Sequence, residues 1–340
     1  SPHWAPTITI AAIGLRHIRS VKLERARVCA HRRYFILLGT VANLGIGIPS
    51  LTTKVICMRL LVLRCETPSV TDFSAAPVVP EVHDLPALPT RRDLRMLDDA
   101  AFDVLPTDPT PSLDEIAQQP DVAHLSTPKP APQQPERPLR VVVIGDDAAL
   151  SAVITRLMRG DNLWAEVGYV PVGDSTAAKN WGIPADPAEA LTLALTGVVK
   201  PVPTIRDDTA VAIAGSASVS EWEPGEITGE IIVDDRVLIR HEAREKTPRR
   251  GVFGARLVPM MDAPGIVAVT MDTPLPGTEI KKGLRKRPAG TVDADTLSTG
   301  RALQAGGPSL KIIVDGVSRK RAVERVTFYR HLRDLQIVRP

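Results

Sequence analysis

The sequence predicts two joined folds: an α/β layer with parallel strand pairing, then an antiparallel β-sandwich. Three observations carry this expectation. Between residues 139 and 200, short apolar runs alternate with helix-periodic segments, the pattern of strands joined by crossover helices. From about residue 201 to 340, β-rich segments follow one another, separated by Asp-Asp, Pro-Gly, Gly-Gly and Asp-Gly turns. The 340-residue chain is also globular in composition, with 44% hydrophobic and 24% charged residues; aromatics reach only 4%, so Val, Ile, Leu and Ala must fill the cores.

The α/β part opens with a strand at Arg140–Ile144, a turn at Gly145 and a helix at Ala148–Met158. A strand at Glu166–Pro171 and a loop at 172–176 come next. A helix at Pro187–Leu195 then starts behind Asp186, a capping residue with Glu189 three positions on. The expected strands of the second part are Thr209–Ala214, Gly229–Val233, Val237–His241, Ala255–Val258, Gly265–Thr270, Leu310–Asp315 and Arg325–Tyr329.

Residues 67–138 hold 14 of the 31 prolines and read as an extended linker, most clearly at Thr127–Pro138. Two short helices are expected within it, one behind Thr90 as a cap and one at the capping box Ser112-Leu-Asp-Glu115. Phe102–Leu105 reads as a short strand. Residues 90–120 are candidates for recruitment into the α/β layer.

Charge, cysteine and proline usage all shift near residue 66. Residues 1–66 carry 10 Lys/Arg against 2 Asp/Glu, while the remainder carries 32 against 37. Cys29, Cys57 and Cys65 all fall in the first segment, so the folded part is expected to use neither a disulfide nor a thiolate metal site. Arg16–Arg33 is basic and Tyr34–Ile48 is apolar, but that run is shorter than the roughly 20 residues a membrane helix needs. The segment reads as non-native sequence upstream of the true start (Met58 is one candidate, a non-Met codon near 70 another) or as a disordered extension. A membrane anchor and a folded element are the alternatives. The mildly acidic body gives no reason to expect a nucleic-acid partner.

The stretch Val141-Val-Val-Ile-Gly-Asp-Asp-Ala-Ala-Leu150, then Pro171-Val-Gly-Asp-Ser-Thr176, then Gly182-Ile-Pro184, then a β domain with an Asp315-Gly316 turn, resembles the diacylglycerol kinase and sphingosine kinase family, within the NAD kinase-like superfamily. The resemblance covers roughly 140–340. It implies an α/β nucleotide-binding-like domain, a β-sandwich and an active site in the cleft between them. It also implies ATP and Mg²⁺ as cofactors, if the protein is active, and a lipid with a free hydroxyl as substrate.

The family's first loop reads GGDGT. Here Gly145 and Asp147 match, while Asp146, Ala148 and Ala149 replace two glycines and a threonine. Glycine lets backbone N–H groups approach phosphate oxygens. Asp146 instead sets a negative charge toward the expected phosphates, Ala148 adds a Cβ where a positive φ is expected, and Ala149 removes a hydroxyl. Asp147 is a candidate helix cap. In the second loop, PLGTGND in the family, Pro171 and Gly173 match and Asp174, Ser175, Thr176 and Ala177 do not. Asp174 is expected to face the phosphates as well. The resemblance places Asp262 on the metal side and Asp315 on the catalytic side of the cleft. Val317 stands where the family carries the glutamate expected to act as general base, a role worth about 10²–10⁴-fold.

Other signals are weak. Asp207-Asp208 and Asp234-Asp235 read as solvated turns, and Lys281-Lys282 with Arg285-Lys286-Arg287 as a solvated loop or a surface for anionic lipid head groups. The seven histidines show no HxxxH or HExxH spacing, and no GxSxG or Walker A loop occurs. An NAD kinase should carry an Asn-Glu pair, and the sequence has no such dipeptide. Two functions follow as expectations: a lipid phosphotransferase with weak or lost activity, or a non-catalytic lipid- or partner-binding protein on the same fold. A cytoplasmic location, with peripheral membrane contact and a homodimer as options, completes the reading.

Overall fold

The computed structural model describes residues 58–118, 126–241, 251–275 and 288–340. In chain order the first elements are β1 Arg59–Cys65, β2 Glu81–Leu85, α1 Arg95–Val104, α2 Leu113–Ala117 and β3 Leu139–Gly145. Next come α3 Asp147–Arg159, β4 Glu166–Pro171, α4 Thr176–Trp181, α5 Pro187–Thr196 and β5 Val199–Val202. There follow β6 Ile205–Asp207, β7 Ala212–Ile213, β8 Ala217–Glu221, β9 Gly229–Val233, β10 Arg236–His241, β11 Gly254–Pro259 and β12 Ile266–Met271. The last are β13 Val292–Gly300, β14 Ala302–Val314, β15 Val317–Ser318, β16 Val323–Arg330 and β17 Leu335–Val338.

Six strands form the first sheet in the order β2-β1-β3-β4-β17-β5. Neighbours from β2 to β17 pair in parallel, and β5 closes the edge antiparallel to β17. All seven residues of β3 are buried. A parallel strand covered on both faces reads as a continuous apolar run, which is why Val141–Ile144 stands out in the sequence. Helix α5 lies so close to β4 that a Cβ on Gly168 would stand 2.8 Å from the Ala194 carbonyl oxygen. Arg140 ties the same region together: it pairs with Glu166 at 2.7 Å and donates to the Leu195 and Gly197 carbonyls.

The second body is an 11-stranded antiparallel sheet with the path β13-β12-β11-β8-β14-β16-β6-β7, to which β9, β10 and β15 attach. Its long strand β14 shifts register against β16 between Gly306 and Leu310. The first half of β14 pairs with β9 and the second half with β8. Buried side chains from both halves join one apolar cluster that includes Ile205, Val219, Ile231, Leu257, Ile312 and Phe328. The α/β layer and the antiparallel β domain expected from the sequence are both present.

Several local expectations change. The folded part begins before residue 66: β1 is an inner strand of the first sheet, and Cys65 is a buried, free thiol in it. The shift in charge and cysteine usage reflects the basic sequence upstream and says nothing about this apolar strand. The boundary near 200 is crossed too, because β17 leaves the β domain and inserts between β4 and β5. Phe102 is helical, not extended, since Ala100 and Ala101 supply the buried face of α1. Thr90 does not cap that helix; its backbone and hydroxyl donate to Asp93, and α1 starts behind Leu94 without a side-chain cap. The capping box Ser112–Glu115 is formed as expected. The basic run Lys281–Arg287 and nearly all of the first segment lie outside the described residues.

Asp186 caps α5 by accepting from the N–H groups of Ala188 and Glu189 at 3.0 and 2.9 Å. Asp186→Ala is expected to lower stability by about 1 kcal/mol, readable as a reduced urea midpoint with an unchanged slope.

Candidate functional site

The C-terminal ends of β3 and β4 lie side by side, with Gly145 opposite Pro171 and the Val172 N–H donating to the Gly145 carbonyl at 2.8 Å. β3 turns into α3 through Asp146 alone and β4 leads into α4 through the loop 172–175, and Asp147 of α3 accepts from the first N–H groups of α4. Gly145 is required by close approach: a Cβ there would meet the Cβ atoms of Cys65 and Ala149, each at 3.0 Å. Gly173 has a φ of +78° and open space around it, so it serves the turn and not packing.

Asp146, not Asp147, caps α3. Its carboxylate accepts from the Ala149 N–H at 2.8 Å. Ala148 and Ala149 then lie in ordinary helical backbone, so the positive φ expected at Ala148 does not occur. Asp147 reaches across to the second loop. One carboxylate oxygen accepts from the Ser175 hydroxyl at 2.5 Å and the Tyr169 phenol at 3.0 Å; the other accepts from the Thr176 and Ala177 N–H groups at 2.8 and 3.2 Å. Ser175 in turn caps α4 by accepting from the Ala178 N–H. Burial, with the Asp147 charge adding to it, holds the Tyr169 phenol neutral far above its ordinary range. Burial likewise pushes the Cys65 thiol up to about 12, helped by the Asp146 charge.

The β domain contributes the segment Ala214–Ser216. Ser151 donates to the Ala212 carbonyl at 2.7 Å, and Asn180 donates to the Gly215 carbonyl at 3.2 Å. A Cβ on Gly215 would lie 2.4 Å from Asp147, so this backbone runs directly against that carboxylate. From the far side, Asp315 accepts from the Ala214, Gly215 and Ser216 N–H groups, each at 2.8 Å. Asp315 has a φ of +48° in the β14–β15 turn and is only 9% exposed. Burial pushes its carboxyl up to about 7; the three N–H groups pull it back, and the Asp147 charge adds to the rise.

The loops therefore bring together Gly145, Asp146, Asp147, Ala148, Ala149, Ser175, Thr176 and Asp315. Asp174 stands apart: it is exposed and paired with Lys179, not turned toward the cleft. Asp262 is exposed in the turn Met260–Gly265, and among the described residues no three His, Cys, Asp or Glu side chains cluster to hold a metal. Val317 is 43% exposed on the hairpin after Asp315. Asp207 is not a solvated acid. It is buried, accepts from Thr209 and Val211, and pairs with Arg319 at 2.7 Å. Asp234 is exposed but accepts from the Arg301 and Ala302 N–H groups, which fixes the β9–β10 turn to the start of β14.

These residues do not fit a magnesium triphosphate. The helix N–H groups that would receive phosphate oxygens, at Ala149, Thr176, Ala177 and Ala178, already have acceptors in Asp146, Asp147 and Ser175. Asp146, Asp147 and Asp315 add negative charge, and these loops contain no Lys or Arg.

No protein-family model matches the chain, and no curated protein matches it by sequence. Solved structures do match in fold. A diacylglycerol kinase from Bacillus anthracis str. Sterne aligns at 11% identity with a TM-score of 0.50, covering 83% of this chain and 97% of that one. A putative diacylglycerol kinase from the same organism aligns at 10% identity and TM-score 0.48, over 83% and 97%. An NAD kinase from Archaeoglobus fulgidus, solved with ATP, aligns at 10% identity and TM-score 0.36, over 83% and 94%. The fold is that of the diacylglycerol kinase-like proteins.

Proposed function

We propose that this chain is a diacylglycerol kinase-like protein in which phosphoryl transfer is weak or lost, and which binds a lipid or other partner on the inherited fold. One observation supports this above the others: side chains of the chain itself occupy the helix N–H groups where phosphate would sit. Val317 adds to it, because a valine has no atom to take the proton of a lipid hydroxyl. Asp315, the remaining candidate for catalysis, has its carboxylate engaged by three backbone donors and so acts in this reading as an anchor. Among the described residues no helix is long and apolar enough to cross a membrane, so a lipid would be met at the membrane surface.

The test is transfer of labelled phosphate from Mg-ATP to diacylglycerol in mixed micelles. The expected rate is that of the protein-free control. Turnover well above it would overturn the proposal. The variant Asp146→Gly with Val317→Glu frees the Ala149 N–H and restores a base, and is expected to raise transfer from that baseline.

A further inference from the structure

Beside these loops, along the outer face of α3, lies a groove of about 460 Å³, within the size range of small-molecule sites. Its walls are α3, the segment 88–94 and the turns at 207–211 and 314–319. Apolar atoms of Leu88, Leu94, Ala148, Ala152, Val211 and Val317 line it, and Leu88 and Val317 are 46% and 43% exposed. Arg91, Arg156, Arg159 and Arg319 stand in the same walls.

The arginines are the unusual part. Arg319 is neutralised by Asp207 and Asp208. The others form a like-charge group. Arg156 is held below its ordinary value, first by burial and then by the charges of Arg91, Arg95 and Arg159. One carboxylate, Asp98, pairs with Arg156, whose buried Nε has no partner. Arg159 donates to the Thr209 and Ala210 carbonyls, which bring no charge. Arg91 and Arg95 are exposed and have no ion-pair partner among the described residues. The helix dipole favours Arg156 and Arg159 in the last turn of α3, but it opposes Arg95 at the start of α1. Three arginines, Arg91, Arg156 and Arg159, gathered from two segments around an apolar groove, with Asp98 paired to Arg156, call for a ligand that supplies negative charge and an apolar body.

We infer that this groove binds a phosphate ester with an apolar or planar organic part, its phosphate held by Arg91, Arg156 and Arg159. The inference builds on the binding role proposed above but does not depend on the loss of phosphoryl transfer. Guanidinium groups suit this task because they bond phosphate oxygens in pairs. A lysophosphatidate and a nucleotide share this chemistry, and the experiment separates them.

Isothermal titration of the full chain would use monomeric short-chain lysophosphatidate and ATP, each beside its unphosphorylated counterpart, monoacylglycerol or adenosine. At least one phosphorylated ligand is expected to bind on the order of tenfold more tightly than its counterpart, with affinity falling as salt rises. Arg91→Glu should weaken that binding by roughly tenfold or more, while Arg91→Lys retains most of it. Ala152→Phe, which fills the groove floor, should weaken binding of the ester but leave the circular dichroism spectrum unchanged. The inference is overturned if neither phosphorylated ligand binds at millimolar concentration, or if charge reversal leaves the affinity unchanged. Phosphoryl transfer by the native chain well above the protein-free control would refute the proposed function alone.

Discussion

Asp315→Ala is expected to cost roughly 3–5 kcal/mol, because three backbone N–H groups lose their acceptor in a buried place. That is much of the margin of an ordinary domain. The β14–β15 turn and the segment Ala214–Ser216 would separate, and the cleft with them. Asp315→Asn keeps the shape but sets an amide NH₂ against one N–H, so a smaller loss is expected. The same residue also sets a pH dependence. Its carboxyl is raised to about 7 from an ordinary 3.8, so between these values the folded chain holds a proton that the unfolded chain has released. Its contribution is therefore full below about pH 4 and is lost as pH rises through about 7, at no more than roughly 1.4 kcal/mol per unit. Urea unfolding from pH 5 to 8 should show the gap between the native chain and Asp315→Asn narrowing as pH rises. A gap that is constant or widens would contradict this account.

Asp147→Ala is the second large effect. It removes the acceptor for two N–H groups of α4 and the Ser175 hydroxyl, and leaves the Tyr169 phenol only the Gly145 carbonyl. A loss of about 2–4 kcal/mol is expected, since several donors to one charged group are left unpaired at once. The damage should be local. Hydrogen exchange at Thr176 and Ala177 should accelerate well before that of the buried strand β3. Exchange unchanged at those amides would mean that the bridge between the loops does not hold α4 in place.

The sequence made the central strand–turn–helix units legible because each carries its own local signal. Val141–Ile144 is a buried run, Asp186 a cap and Ser112–Glu115 a capping box. Strand β1 was hidden by the basic segment before it. Strand β17 was hidden by its length: Leu335–Val338 is four residues that look like a tail until β4 and β5 close around them. The site was half legible. The loop positions could be aligned, but the partners of Asp147 lie 22–30 residues away and those of Asp315 about 100. No local pattern announces such pairings, and so Asp147 read as a cap and Asp207 as a solvated turn. The arginine cluster was equally silent, because Arg91 lines the same groove as Arg156 and Arg159 only once the segment before α1 lies beside α3.

The place of β17 has a consequence for how the chain is made. The strand that links β4 to β5 follows the whole β domain in the chain, so the sheet begun first is completed only after the second has been made. Until β17 has emerged from the ribosome, β4 presents an open edge and β5 has no neighbour in its sheet. The β domain must emerge in full before that edge can close. Such late, long-range closure slows folding and prolongs exposure of an unpaired strand. A chain cut before Leu335 would keep every residue of the cleft and still lack the strand that holds its first sheet together.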